Sequence, residues 1–352
     1  MKKLFPVFAV LVLACLLCFA CVLSASAEET ATPRPTPTPS PTPRPAPTAE
    51  PAFTPGPDDI VITEESGGEF RPLDLDIRAG GAPLPKGVTY STKINIYQDP
   101  TIRVERHRGY SNYWKCNYYY MLIEIRDPSQ LRTASADDTF RTSATMPVAN
   151  ISKRKNAVAA INGDYCLNFS GVVSNNYILR QGQVFRDTID PQLDMLLIDE
   201  DGDFHVLTAP DTDFTAVDKT TINGKKVINA FQFGPALVID GEKVADEIIN
   251  DPKHAPGYTE AKGGAQRMCI AQIDSLHYMV LTCARHGINL CRFRDLAMTI
   301  APCKVVYNLD GGNSAQMTLL HRKFNNIIND GKEHELRPIT DIIYFASAWF
   351  TD

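Results

Sequence analysis

The sequence predicts an α+β fold: a mixed, largely antiparallel sheet with few helices, built as a single globular domain. Three features carry that prediction. Short runs rich in β-branched and aromatic residues recur from about Gly87 onward, as strands require. Asp-Gly and Asn-Gly pairs, the usual chemistry of tight hairpin turns, separate many of them. Helical patterns are few and do not alternate regularly with strands, which argues against a doubly wound parallel sheet.

Ahead of that domain the chain has another character. Lys2 and Lys3 precede a nearly continuous apolar run from Leu4 to Leu23, and Ala25-Ser26-Ala27 supplies the small-x-small pattern of a signal peptidase site. Residues 1–27 therefore read as a signal peptide, or as an uncleaved anchor, since about 20 apolar residues suffice to span a bilayer. Residues 28–57 are Thr-Pro repeats that favour extended polyproline II and bury no core, so they read as a semi-rigid linker. Residues 58–86 are an acidic, Gly-rich transition segment, and 87–352 form the expected domain. Export on a stalk implies a secreted or cell-surface protein, touching the membrane only through a retained leader.

Composition narrows the function classes. The 352 residues are 44% hydrophobic with a formal net charge of −6, and losing Lys2 and Lys3 makes the chain more acidic still. No basic cluster with interleaved aromatics stands out, so the footprint of nucleic-acid binding is missing. Of nine cysteines, Cys15, Cys18 and Cys21 belong to the leader. Cys116, Cys166, Cys269, Cys283, Cys291 and Cys303 remain, an even number that permits disulfides after export without choosing a pairing. No CxxC pair and no zinc-type Cys/His spacing occurs, so neither metal nor cofactor is expected. The seven histidines are scattered, with no HExxH, and there is no GxSxG elbow, P-loop or GxGxxG fingerprint.

In chain order, Tyr118–Ile125 reads as a strand and Pro147–Lys155 as a short helix with Pro at its start and basic residues at its end. Ala157–Ile161 is a buried strand running into Asn162-Gly163-Asp164. Gly171–Leu179 and Val184–Arg186 flank Gln181-Gly182, and Met195–Asp199 and Phe204–Leu207 flank Asp201-Gly202. Val227–Phe233 leads to the strand closed by Asp240-Gly241. Arg267–Ile273 and Leu276–Cys283 pair across Asp274-Ser275. Arg292–Ile300 is a helix, Lys304–Tyr307 a buried strand that Ser314–Leu320 follows, and Ile339–Phe345 the last strand.

Asp201-Gly202 and Asp240-Gly241 read as plain hairpin turns. Asn162-Gly163-Asp164 and Asn308–Met317 differ, because each follows a strand apolar on both faces. Asp310, Gly311, Gly312, Asn313 and Ser314 place a carboxylate, flexible backbone, an amide and a hydroxyl at such an end. Consecutive N–H groups in a glycine turn form an anion-binding concavity, although a tight hairpin turn has the same spelling. Arg267 opens an otherwise apolar strand, either as a solvated strand-end residue or as an anion clamp whose guanidinium matches carboxylate or phosphate oxygens.

Taken together, AINGDYC, GVV…LRQGQVFRD, FGPALVIDG, QRMCIAQ and NLDGGNSAQM resemble the phosphodiester glycosidase family, over roughly Gly87 to Phe345. The chain departs from that pattern at Asp164, Met268, Ala271 and Asn313. The resemblance implies hydrolysis of a sugar-1-phosphodiester, with an N-acetylglucosamine-like sugar and a cell-surface or exopolysaccharide polymer as partner. Set against that chemistry, the candidate catalytic residues are Asp164, Asp310 and Arg267, and the candidate substrate-binding ones Asn162, Gly163, Gly311, Gly312, Asn313 and Ser314. A phosphomonoester is already a fair leaving group, so the reaction needs a strong general acid less than ordinary glycoside hydrolysis does. A glycan- or wall-binding module with a degenerate site and a metal-dependent phosphodiesterase are the alternatives.

Overall fold

Alternate side chains of the Arg267–Asp274 strand enter two different cores. Met268 and Ile270 join one, Cys269 and Ala271 the other, so the strand is covered on both faces. The Val305–Leu309 strand beside it divides in the same way, with Tyr307 and Leu309 in the first core and Val306 in the second. This double burial accounts for their largely apolar composition and makes them inner strands of the fold.

The computed structural model describes residues 54–85, 93–140, 144–163, 176–251, 265–284, 288–323, 328–329, 332–333 and 337–351. The predicted leader, nearly all of the Thr-Pro linker, Asp164, Cys166 and the Gly171–Asn175 part of a predicted strand lie outside them. A nine-stranded sheet runs in the order Ile60–Val61, Ile96–Asp99, Ile102–Ser111, Cys116–Ile125, His277–Cys283, Arg267–Asp274, Val305–Leu309, Ala236–Ile239 and Glu242–Lys243. A second sheet orders Phe204–Leu207, Met195–Asp199, Lys225–Gln232, Ile178–Arg180 and Gln183–Arg186, with Thr221–Ile222 paired to Lys225–Gln232. A third orders Arg322–Lys323, Met317–Leu319, Ala157–Asn162, Asp341–Ala346 and Leu131–Ser135. Pairing is antiparallel except where Ile60–Val61 lies parallel to Ile96–Asp99, so the sheets are mixed and largely antiparallel, as predicted.

Three α-helices occur among the described residues: Val148–Arg154, Asp246–Ile249 and Leu290–Ile300. The last begins where the Asn289 side chain accepts from the Arg292 N–H at 2.9 Å, satisfying one otherwise orphaned helix donor. Its Leu290, Phe293, Leu296 and Ala297 side chains close the second core over the nine-stranded sheet. Emptying that core by Phe293→Ala would cost about 3–5 kcal/mol.

Two parts of the sheet system carry no clear strand signal in sequence. Ile102–Ser111 mixes charged and apolar residues because only part of it is covered. Leu131–Ser135 looks polar yet is buried throughout: Arg132 is fully enclosed, donating to the Tyr344 hydroxyl at 3.0 Å and the Asp74 carbonyl at 2.7 Å. Residues preceding Gly87 also pack on this fold. Glu69–Phe70 pairs with Trp349–Phe350, and buried Lys155 donates to the carbonyls of Ile77 and Arg78. The five described domain cysteines are buried free thiols.

Candidate active site

The chain leaves the nine-stranded sheet after Leu309 and enters the five-stranded sheet at Met317. The turn that makes this crossing is Asp310–Gln316, containing a single 3-10 turn at Gly312–Ser314. Its first residues are set by the neighbouring strand. Met268 pairs with Leu309, and one step further the Gln266 carbonyl accepts from the Gly312 N–H at 2.9 Å. Arg267 and Asp310 lie between these two links, next to each other along the join. Gly311 is required by close approach, because a Cβ there would stand 2.3 Å from the Gln266 carbonyl oxygen.

Asn162 fastens the turn from the other sheet. Its Nδ2 donates to the Asp310 carbonyl at 2.9 Å, and its Oδ1 accepts from the Gln316 N–H at 3.2 Å. With both ends of its buried amide engaged, Asn162 holds Asp310 in place. The next residue, Gly163, donates its N–H to the Asp341 carbonyl at 3.0 Å. Behind it the Asp341 carboxylate accepts from the Arg180 Nε at 3.1 Å, within a fully buried pair. The Arg180 guanidinium stacks 3.9 Å from the Phe231 ring centroid. Leaving either ion of such a pair alone would cost about 3–5 kcal/mol, so Arg180 and Asp341 anchor the chain entering Asp164.

A second arginine completes the Asp310 turn. Arg337 Nη2 donates to Asp310 Oδ2 at 3.0 Å, and Arg337 Nε donates to the Ser314 hydroxyl at 2.9 Å. Nη2 also donates to that hydroxyl. The Arg337 backbone is tied to the same turn, its N–H to the Asn313 carbonyl at 3.2 Å and its carbonyl to Gln316 Nε2 at 2.7 Å. Asp310 is 6% exposed and Arg267 4%, while Gly311, Gly312 and Asn313 are half-buried and border the site. Low exposure strengthens each charge–charge interaction relative to water.

Arg267 also influences its strand neighbour. Burial pushes the Cys283 thiol up to about 12, and the Arg267 guanidinium pulls weakly the other way. Cys283 is therefore a neutral, unreactive wall beside the arginine.

The structure thus gathers Asn162, Gly163, Arg267, Asp310, Gly311, Gly312, Asn313 and Ser314 around one crossing, while Asp164 follows directly after Gly163 outside the described residues. Arg337 and Arg180 escape the sequence reading. Arg337 stands in a polar stretch with no periodic signal, and an arginine just before Pro338 was its one distinguishing mark. Arg180 lies in the LRQGQVFRD segment but looks like an ordinary strand-end charge until burial is known.

A model of the phosphodiester glycosidase family matches residues 155–346. No curated protein matches the chain. Among solved structures, the fold is similar to the zebrafish N-acetylglucosamine-1-phosphodiester alpha-N-acetylglucosaminidase catalytic domain auto-inhibited by pro-peptide. That pair shares 15% identity and a TM-score of 0.56 over 76% of this chain and 87% of the other. A hypothetical protein from Synechocystis matches at 13% identity and a TM-score of 0.44, over 71% of this chain and 62% of its own. A candidate exported protein from Burkholderia pseudomallei K96243 matches at 10% and 0.43, over 66% and 74%.

Proposed function

The chain belongs to the phosphodiester glycosidase family, and from that premise we propose that it is an exported hydrolase of sugar-1-phosphodiesters. The sugar would be N-acetylglucosamine-like, in keeping with the substrate named for the zebrafish enzyme, and the phosphodiester part of a cell-surface or exopolysaccharide polymer. The observation that carries this reading is the crossing turn itself. It brings two guanidiniums, Arg267 and Arg337, to the turn that carries Asp310, in a site of low exposure. A guanidinium matches the paired oxygens of a phosphodiester, so the turn offers phosphate the partner it needs.

In this reading water attacks the anomeric carbon, the carbon–oxygen bond to phosphate breaks, and a phosphomonoester leaves. Arg267 and the main chain at Gly311 hold the phosphate, a preorganised electrostatic role. The Gly312 N–H is already given to Gln266, which confines the main-chain donors to its neighbours. Asp310, neutralised by Arg337, serves the sugar side of the reaction, with Asp164 as the second carboxylate. Such carboxylates would stabilise an oxocarbenium-like transition state or deliver water.

The test is incubation of the purified chain with a sugar-1-phosphodiester, with and without EDTA. Free sugar and a phosphomonoester, formed equally in chelator, are the expected products. Release of a sugar phosphate only when metal is present would replace this reading with P–O cleavage. Retained binding to wall polymer without any product would reduce the chain to a binding module.

A further inference from the structure

We propose that the aromatic end of the hairpin formed by Ile102–Ser111 and Cys116–Ile125 is a carbohydrate subsite. It would seat the sugar on the far side of the phosphate. The inference rests on the hydrolase reading for its substrate class, and it concerns a region outside the family-matched residues 155–346.

Register supplies the first argument. Gly109 pairs with Tyr118, Tyr118 with Cys283, and Cys283 with Arg267. Opposing residues of antiparallel strands share a face, so one row across the sheet runs from Gly109 to Arg267. Strands lie about 4.8 Å apart, which places the Tyr118 strand about 10 Å from that of Arg267. That is the side on which a group esterified to a phosphate at Arg267 can extend.

The rings are arranged in advance. A Cβ on Gly109 would stand 2.3 Å from the Tyr118 ring, so the ring occupies the space that glycine leaves open. Tyr118 is near-parallel to Tyr120, at 18° with centroids 6.2 Å apart, and Tyr120 stacks on His107 at 4.6 Å and 7°. All three are half-buried, so packing fixes them while part of each stays exposed. Rings held in this way bind at little entropic cost, which suits the apolar faces of a pyranose.

Charge supplies the second argument. The turn of the hairpin carries Lys115, exposed and in no ion pair with a carboxylate among the described residues. Beside it Tyr113 is 86% exposed. A cation beside an exposed ring, on a chain of net charge −6, complements a glycan that bears phosphate. In sequence these residues read only as the approach to a strand; pairing of the two strands is what assembles them.

The experiment compares wild type and variants on two sugar-1-phosphodiesters, one with a methyl and one with a hexosyl leaving group. For Tyr118→Ala the preference for the hexosyl diester, as a ratio of kcat/KM values, should fall about tenfold, mainly through KM. Tyr118→Phe should keep the preference, and Lys115→Gln with Tyr113→Ser, both on exposed residues, should weaken it without lowering Tm. An unchanged preference in Tyr118→Ala would overturn the subsite. So would hairpin-dependent binding of anionic vesicles or of oligothymidine in place of the hexosyl diester. If wild type turns over neither diester, the hydrolase reading fails separately. The subsite then stands or falls on whether the hexosyl diester quenches Trp114 fluorescence in wild type and not in Tyr118→Ala.

Discussion

Two Asp-Gly turns in this molecule share their spelling and differ in what holds them. In the turn at Asp199–Asp203, the buried Asp199 Oδ1 accepts from the N–H groups of Asp201 and Asp203, both at 3.0 Å. Its other oxygen lies 2.9 Å from His205 Nε2, and the partly exposed Lys225 ammonium sits between Asp199, Asp201 and Asp203. Acid, donors and cation come from one hairpin and its neighbouring strand, and the carboxylate is used up in closing its own loop. At Asp310 the carboxylate faces an arginine 27 residues away, and its carbonyl is held by Asn162, 148 residues away. The first turn is stabilised by what surrounds it in sequence; the second exists only when distant segments meet. The Asp310 carboxylate is thus placed by a distant segment and not by its own loop.

The sharpest way to break this comparison is to neutralise each acid. Asp310→Asn should lower kcat/KM on a sugar-1-phosphodiester by about 10²–10³-fold, the range for losing one preorganised electrostatic group. Asp199→Asn should leave kcat/KM within about twofold while costing about 1–3 kcal/mol of stability, read as a lower urea midpoint. The opposite pattern would reverse the assignment of the two turns.

Arg337→Ala tests whether the distant partner matters. It strips the neutralising charge from Asp310, and kcat/KM should fall about 100-fold, with partial recovery in Arg337→Lys because a lysine supplies charge without the guanidinium fork. Full activity in Arg337→Ala would show that the arginine is only a brace for the loop.

Gly311→Ala acts on the join between strand and turn. Its Cβ would collide with the Gln266 carbonyl, a cost of about 1–3 kcal/mol for overpacking. Tm and kcat/KM should fall together. A drop in Tm alone would mean that the ladder yields without moving Asp310.

The smallest expected effect concerns pH. Burial holds His321, just beyond the Met317–Leu319 strand, at about 4, well below its usual 6.5, with Lys153 acting in the same direction. The unfolded chain therefore binds the extra proton first as pH falls. The stability contributed by neutral His321 is complete above 6.5 and is lost between 6.5 and about 4. Tm measured across that range should decline, and His321→Gln should flatten the decline. An unchanged slope would move the acid sensitivity away from His321.

Most of the strand system was legible because it repeats local chemistry. Met195–Asp199 and Phe204–Leu207 coincide with the predicted strands, and Asp201-Gly202 is the turn between them. The crossing at Asp310 was visible as a doubly buried strand ending in a polar cluster. Ser314–Leu320, however, is a 3-10 turn followed by a strand, since the chain changes sheets there. Arg132 and Arg180 show the limit of such reading, because a fully buried arginine is spelled like an exposed one.

By itself the sequence determined the α+β class, the burial of the strands leading to Asn162 and Asp310, and which carboxylates, glycines and arginine deserved notice. These follow from alternation, turn chemistry and residue type, all of which act over a few residues. Only the tertiary structure decided that Asn162 serves the Asp310 backbone, that Arg337 neutralises its carboxylate, and that Tyr118 shares a row with Arg267. Those relations depend on strand register and on contacts between segments far apart in the chain, where local composition carries no information.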